Sequence, residues 1–228
     1  MAFAGFTEQS VTFLKDLAAN NNKEWFEKHR DIYEHHIMEP LRQLVTDLGP
    51  GLKTIDREIE TTPAVNKTIS KIYRDTRFSR DKSPFRTGLW LSFRRPNKIW
   101  GNVPEFYFYF TPEEYQYGMG FYSATPANME KFREHITRET KRFGKIIGSY
   151  KPGEHIIGGE EYKKKIPNEL PDEFQSWYQK RNLYVNSTKK PGNSFFSPLL
   201  KDEISGFFHL NSDLYRFLVE SIGLKDIK

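Results

Sequence analysis

The sequence predicts an α+β protein in which an antiparallel sheet with an aromatic face is covered by helices, with helical N- and C-terminal segments. Two observations lead to this class. Apolar residues recur at helical spacing towards both ends of the chain, whereas between residues 88 and 122 they alternate with a period of two. The core is expected to be aromatic, because 19 Phe, 12 Tyr and 4 Trp accompany a hydrophobic fraction of only 37%.

Length and composition indicate one soluble domain over residues 1–228. The absence of cysteine excludes disulfides and thiolate metal sites, and it fits a cytoplasmic location. No basic segment precedes an apolar run at the N-terminus, and no long apolar stretch occurs, so neither a secretory signal nor a membrane partner is expected. The six histidines form no His-Glu-x-x-His pair, and no phosphate-binding glycine motif is present. We therefore expect neither a metal nor a cofactor.

Two helices are predicted in the first fifty residues. The first begins after the N-cap Thr7 and ends in the asparagines 20–22. The second begins with a weak capping box at Asn21 and ends at Gly49-Pro50, and Pro40 predicts a kink or two consecutive helices. The apolar positions at helical spacing are Val11, Leu14 and Leu17 in the first helix, and Phe26, Tyr33, Ile37, Leu41, Leu44 and Leu48 in the second.

Three strands are predicted over residues 88–95, 105–110 and 115–122. A four-residue turn joins the last two into a hairpin, with Phe110 opposite Tyr115. Gly118 and Gly120 fall on the other face, where we expect them to let another group approach the backbone closely. The shared parity places one aromatic set on a single face: Phe106, Phe108, Phe110, Tyr115, Tyr117 and Met119.

The remainder of the chain is predicted to alternate between helices and loops. Thr125-Pro126 is an N-cap and first-turn pair that opens a helix, which Gly144 is expected to close. A long loop over residues 148–172 precedes a short helix at 174–178 and a strand at 183–185. A second loop, 188–197, leads into two C-terminal helices, the second starting at Asn211 or Ser212.

The positive charge is concentrated in one segment. The formal net charge is +5, yet residues 71–98 hold nine Lys or Arg against two Asp, so this segment carries +7 and the rest of the chain carries −2. A cluster of this kind favours an acidic or phosphate-bearing partner.

Residues 74–86, here called the basic loop, supply the candidate site residues. The segment lacks apolar periodicity and contains Ser83-Pro84, so it is predicted to be a loop before the first strand. Guanidinium groups bind phosphate or carboxylate through paired hydrogen bonds. Asp75 and Asp81 are candidate catalytic residues, acting as a base or orienting the basic groups. The candidate ligand-binding residues are Arg74, Arg77, Arg80, Lys82 and Arg86.

Three functions remain open at this point. The first is a binding module for a phosphate-bearing ligand, either nucleic acid or a nucleotide, through the basic loop. The second is an enzyme acting on a small phosphorylated substrate, with arginines binding it and an aspartate as base. The third is a protein interaction domain in which Arg–Asp ion pairs merely hold the loop in place.

Three sequence blocks resemble a bacterial and fungal family catalogued as domain of unknown function 2461. The first is the basic loop itself, Arg-Asp-Thr-Arg-Phe-Ser-Arg-Asp-Lys-Ser-Pro-Phe-Arg. The second is residues 22–26 with Arg30 and Tyr33, and the third is the hairpin 106–121 that precedes the Pro126 helix. The resemblance spans about residues 6–143, whereas residues 150–200 depart from the family pattern. It implies an α+β domain and no particular activity.

Overall fold

The computed structural model describes residues 2–96, 102–121, 123–150 and 155–224. It contains a five-stranded, entirely antiparallel sheet packed against helices, which confirms the α+β class. Tyr122, at the end of a predicted strand, Lys98 in the positively charged segment, and residues 151–154 in the predicted loop lie outside the described residues.

The predicted hairpin and its neighbouring strand are confirmed. The strands are β1 (Leu89–Arg94), β2 (Glu105–Phe110) and β3 (Tyr115–Gly120), and Phe110 pairs with Tyr115 as expected. The aromatic face is buried throughout: Phe106, Phe108 and Phe110 are 0% exposed. It packs against helices from both ends of the chain: α8 (Leu199–Leu210) and α9 (Ser212–Ser221) lie on β3, and α4 (Glu39–Ile55) lies on β1. Matched parity across a short turn therefore predicts the buried face correctly.

Two further strands complete the sheet in the order β1-β2-β3-β5-β4. β5 (Tyr184–Lys189) pairs with β3 along its whole length, so the strand predicted at 183–185 is confirmed but extends further. β4 (Ile156–Gly158) pairs with β5. It lies inside residues 148–172, so the prediction of a loop there is wrong at these three residues. A three-residue strand carries too short a pattern to detect, and only its pairing with β5 reveals it.

The N-terminal helices follow the prediction at their start and extend beyond it at their end. α1 (Glu8–Ala19) has Thr7 as its N-cap, and α2 (Lys23–Lys28) is capped by the side chain of Asn22, not Asn21. The chain continues as α3 (Arg30–Tyr33), a π-helical turn over 34–38 and α4 (Glu39–Ile55), with Pro40 in the first turn of α4. The predicted stop at Gly49-Pro50 is wrong, because buried Leu52 and Ile55 continue the apolar face past the proline.

A helix after the β1–β3 strands also continues past its predicted stop. α5 (Pro126–Arg138) has the predicted Thr125 cap but ends at Glu139, and α6 (Thr140–Ile147) runs through Gly144, the predicted stop. α7 (Asp172–Tyr178), α8 (Leu199–Leu210) and α9 (Ser212–Ser221) confirm the remaining helices. Phe174 of α7 packs against Gly144: an added Cβ would lie 3.4 Å from the ring.

The space beside the two strand glycines, Gly118 and Gly120, is occupied by other groups of the protein itself. A Cβ at Gly118 would lie 2.5 Å from the phenol of Tyr107, whose ring lies across this glycine from the neighbouring strand. A Cβ at Gly120 would lie 2.3 Å from the carbonyl oxygen of Leu183. The expected close approach to the backbone is therefore made by Tyr107 and by the chain entering β5.

Candidate functional site

The ends of the basic loop are held to the body of the protein. The amide of Arg74 donates to the carbonyl of Pro84 at 2.8 Å, which closes the loop on itself. The side chain of Asn21, between α1 and α2, exchanges two hydrogen bonds of 3.0 Å with the backbone of Phe85. The base of the loop is thus positioned by the first two helices.

Both aspartates of the basic loop are bound to arginines of the same loop. Arg74 pairs with Asp81, and Nη2 of Arg77 lies 2.7 Å from Oδ2 of Asp75. The hydrogen bond from Arg77 lowers the pKa of Asp75 to about 2. Hydrogen bonds from Ser83 and then Arg74 hold the pKa of Asp81 well below its usual range. These ion pairs are consistent with aspartates that orient the basic groups, and the role of a general base stays a prediction.

The structure brings three of the five predicted basic residues to one cavity. Arg74, Arg77 and Arg86 line a cavity of about 580 Å³ beside β1, here called the basic cavity, whereas Arg80 and Lys82 do not line it. Lys82 instead donates to the carbonyl of Thr76 at 2.9 Å. The other lining residues are Asn66, Lys67, Thr68, Ile69, Ser70, Lys71, Tyr73, Asp75, Trp90, Ser92 and Arg94.

Sequence reasoning missed three of the cations of the basic cavity as site residues: Lys67, Lys71 and Arg94. Lys67 and Lys71 come from the segment before the basic loop, which lies beside β1 because the backbone amides of Ser70 and Ser92 donate to carbonyls across the gap. The concentration of charge over residues 71–98 is a signal for Lys71 and Arg94, but not for Lys67. Among the described residues, the cavity is thus lined by six Lys or Arg and by one acid, Asp75.

The cations of the basic cavity differ in how far acidic groups neutralise them. Lys67 lies 3.6 Å from Glu60, and Arg94 lies 3.8 Å from Glu105. Within the described part of the chain, the exposed Lys71 makes no ion pair. The guanidinium carbon of Arg86 lies 4.7 Å from the centre of the Trp90 ring, and its buried Nε has no hydrogen-bond partner within the same residues. Lys71 and Arg86 are therefore the cations with the most capacity left for an anion.

A second cavity, of about 470 Å³, adjoins the basic cavity on the face of the sheet opposite the aromatic core. We call it the sheet-face cavity, and Trp90 lines both. Its other lining residues are Glu105, Tyr107, Tyr109, Gln116, Gly120, Phe121, Asn182, Tyr184 and Asn186.

Glu105 is a buried carboxyl group in the sheet-face cavity. It is 5% exposed, accepts a hydrogen bond from the hydroxyl of Ser92 and faces Arg94 across the β1–β2 pairing. Burial raises the pKa of Glu105. This carboxyl group therefore holds its proton more tightly than Asp75 or Asp81 does. Sequence reasoning missed Glu105 because a single Glu forms no motif. Its place in the strand next to the buried Phe106 nevertheless puts it on the opposite face of the sheet.

We expect Glu105→Gln to gain stability relative to the wild type as the pH rises. The folded protein holds the Glu105 proton more tightly than the unfolded chain does, so wild-type stability falls as the pH rises above 4.5 through the raised pKa. Glutamine cannot ionise and keeps a partner for Ser92. Urea unfolding at about pH 4 and about pH 7 measures the difference between the two proteins.

Glu60→Gln is the matched control, because the hydroxyl of Thr62 lowers the pKa of Glu60. Ionised Glu60 stabilises the fold above pH 4.5. Glu60→Gln should therefore lose stability relative to the wild type as the pH rises over the same range. Equal pH dependence of the two variants would contradict the raised pKa of Glu105.

No group of three or more His, Asp or Glu side chains that could hold a metal ion occurs in the described ranges. Across these same ranges, no helix is both long enough and apolar enough to cross a bilayer.

No curated protein matches the chain. A family model described as "Conserved hypothetical protein (DUF2461)" matches residues 9–217, which include the basic loop, the hairpin and residues 150–200. The chain therefore belongs to the DUF2461 family, which confirms the resemblance and extends it through β4, β5 and α8.

Proposed function

We propose that the protein binds a small phosphate-bearing ligand in the basic cavity. The observation that supports this most directly is the lining of six Lys or Arg against a single acid. Cations held together repel one another, so the arrangement is more stable when an anion lies between them. Arginine forks and lysine ammonium groups are the groups that proteins use to bind phosphate.

The shape of the cavity favours a small molecule over an extended strand. Its volume of about 580 Å³ lies within the range typical of small-molecule sites, roughly 300–1,000 Å³. Thr68, Ser70 and Ser92 line the same space and add neutral polar residues to the cations. A nucleic-acid strand would instead track a long positively charged groove.

The ion pairs of the basic loop limit what its arginines contribute. Arg74 and Arg77 are each already bound to an aspartate, so a ligand gains less from them than from a cation without an acidic partner. Lys71 and Arg86 are the strongest candidates for the main contacts with the phosphate. The proposal thus moves the centre of the site from the tip of the basic loop to its base and the neighbouring segment.

We expect Lys71→Ala to weaken binding of inorganic phosphate and of nucleoside monophosphates about tenfold, or about 1.4 kcal/mol. The reason is the loss of a charge-assisted contact with the phosphate. Arg80→Ala is the matched control, because Arg80 is an exposed cation of the basic loop that does not line the cavity. Isothermal titration calorimetry on the two variants and the wild type measures the effect.

Three results would overturn the proposal. One is the absence of any binding of phosphate compounds at low salt, and another is an equal effect of the two substitutions. The third is tighter binding of oligonucleotides with a steep salt dependence, about −0.7 in log K per log salt for each phosphate contacted. In that case Arg77→Ala should weaken all sequences alike and lower the slope by about one, as expected of a nucleic-acid-binding surface.

A further inference from the structure

The polar face of the sheet is a grid of side chains set by the strand register. Its middle row runs across all four long strands, from Ser92 through Tyr107 and Gly118 to Asn186. The flanking rows are Trp90, Tyr109, Gln116 and Thr188 on one side, and Arg94, Glu105, Gly120 and Tyr184 on the other. The sheet-face cavity lies over this grid, beside its small residues Ser92, Gly118 and Gly120.

An aromatic ring forms part of the floor of this cavity. The ring of Tyr107 lies across Gly118, which has no side chain to lift the ring from the sheet. Tyr107 lines the sheet-face cavity and is only partly buried, so part of the ring remains accessible to a ligand. Trp90 and Tyr109, which are direct partners across β1 and β2, form a wall beside it. Such surfaces suit a flat ring that can stack.

The far side of the cavity holds a polar atom that the described residues leave unsatisfied. Asn186 is 6% exposed, and its side-chain Oδ1 has no hydrogen-bond partner among them. The side chain of Asn186 also forms a hydrogen bond with the phenol of Tyr107, so it borders the aromatic floor of the cavity. An amide carbonyl oxygen accepts hydrogen bonds, so Oδ1 offers the cavity an acceptor.

A buried acceptor without a partner is costly, and a ligand N–H or amino group would remove that cost. The carboxyl group of Glu105 lines the same cavity and adds a second polar group. A stacking surface combined with two buried polar groups matches a planar heteroaromatic ring with hydrogen bonds along one edge. A sugar would need partners for several hydroxyl groups distributed around its ring.

We propose that the sheet-face cavity binds a nucleobase-like ring that donates a hydrogen bond to Asn186, and that the ligand of the protein is a nucleoside phosphate. The second half of this proposal rests on the proposed function, since the phosphate lies in the basic cavity. The two cavities are contiguous: they share Trp90, and Ser92 and Arg94 of the basic cavity directly face Tyr107 and Glu105 of the sheet-face cavity. A single ligand can therefore span both.

Calorimetry on the full chain with a panel of ligands tests this. The panel comprises inorganic phosphate, the four common ribonucleosides, their 5′-monophosphates and methyl glucoside. We expect at least one monophosphate to bind tenfold or more tightly than phosphate, and its nucleoside to bind measurably alone. A base analogue that lacks the donating group, such as purine riboside monophosphate in place of the adenosine compound, should lose at least tenfold.

Two variants test whether the ring binds in the sheet-face cavity. Asn186→Leu should reduce binding of the nucleoside and its monophosphate at least tenfold while leaving phosphate binding unchanged. Thr188→Val is the matched control, because Thr188 lies two residues along β5 on the same face, is exposed and does not line the cavity. The base-analogue comparison uses the wild-type protein, so it decides the question even where Asn186→Leu fails to fold.

The outcomes separate this inference from the proposed function. Monophosphates that bind no better than phosphate would overturn the ring site and leave the proposed function standing. Nucleosides that bind while phosphate adds nothing would support the ring site and overturn the proposed function and the two-part ligand. Binding of methyl glucoside that is sensitive to Asn186→Leu would overturn the heteroaromatic class.

Discussion

Replacing Phe108 with alanine is expected to lower the free energy of unfolding by about 3–5 kcal/mol. Phe108 is 0% exposed in the middle of the buried face of the sheet. Its ring centre lies 5.9 Å from that of Phe6 and 5.8 Å from that of Phe110, so it joins the N-terminal segment to β2. The neighbouring strands and helices surround it on all sides and cannot collapse fully into the space that alanine would leave.

Urea unfolding with a two-state fit measures this loss. Gln116→Ala is the matched control, because Gln116 lies on the adjacent strand β3 but on the opposite, polar face and is only partly buried. It should change stability by about 0.5 kcal/mol or less. A loss below about 1 kcal/mol for Phe108→Ala would show that the aromatic face is not the core.

The hairpin is predictable because everything that determines it is local. Alternation fixes the face of each residue, and a four-residue turn fixes the register between Phe110 and Tyr115. β5 depends on a partner about 70 residues earlier in the chain, so no turn constrains its length. Its polar residues at Asn186 and Thr188 look like a loop until pairing with β3 gives their backbone hydrogen-bond partners.

The helix ends differ from prediction for a related reason. Gly49-Pro50 and Gly144 are local stop signals, and each is overridden by apolar residues further along that pack into the core. Leu52 and Ile55 are buried beyond the proline, and Ile146 and Ile147 are buried beyond the glycine. Burial of several large side chains outweighs a helix propensity cost of about 1 kcal/mol for glycine or about 3 kcal/mol for proline.

The candidate site was predictable in its charge but not in its shape. The basic loop is visible in the sequence because its cations are contiguous along the chain. Lys67 joins the cavity only because its segment pairs beside β1, and the sheet-face cavity exists only because four strands align their polar residues. Parity alone assigns Glu105 and Tyr107 to one face, but it does not show that the ring of Tyr107 lies across the glycine opposite it.

Replacing Asp56 with alanine is the second substitution expected to cost about 3–5 kcal/mol. Asp56 is 1% exposed at the C-terminal end of α4, and its Oδ2 lies 2.5 Å from Nε of Arg95 and 2.8 Å from the hydroxyl of Tyr215. One carboxylate thus joins α4, the end of β1 and α9. Burial raises the pKa of Tyr215, so the phenol stays protonated and donates to Asp56.

The stability cost of Asp56→Ala arises from the two polar groups, Arg95 and Tyr215, that each lose a partner. Alanine removes a charged partner of Arg95, which is 13% exposed, and an acceptor of the phenol of Tyr215, which is 0% exposed. Two buried polar groups therefore lose a hydrogen bond at once. Tyr215→Phe is the matched control: it removes one hydroxyl and should cost only about 1 kcal/mol. Asp56 lines neither cavity, so the folded fraction of the Asp56→Ala variant should bind phosphate like the wild type. If Asp56→Ala lowers the free energy of unfolding no more than Tyr215→Phe does, the ion pair between Asp56 and Arg95 contributes nothing to stability.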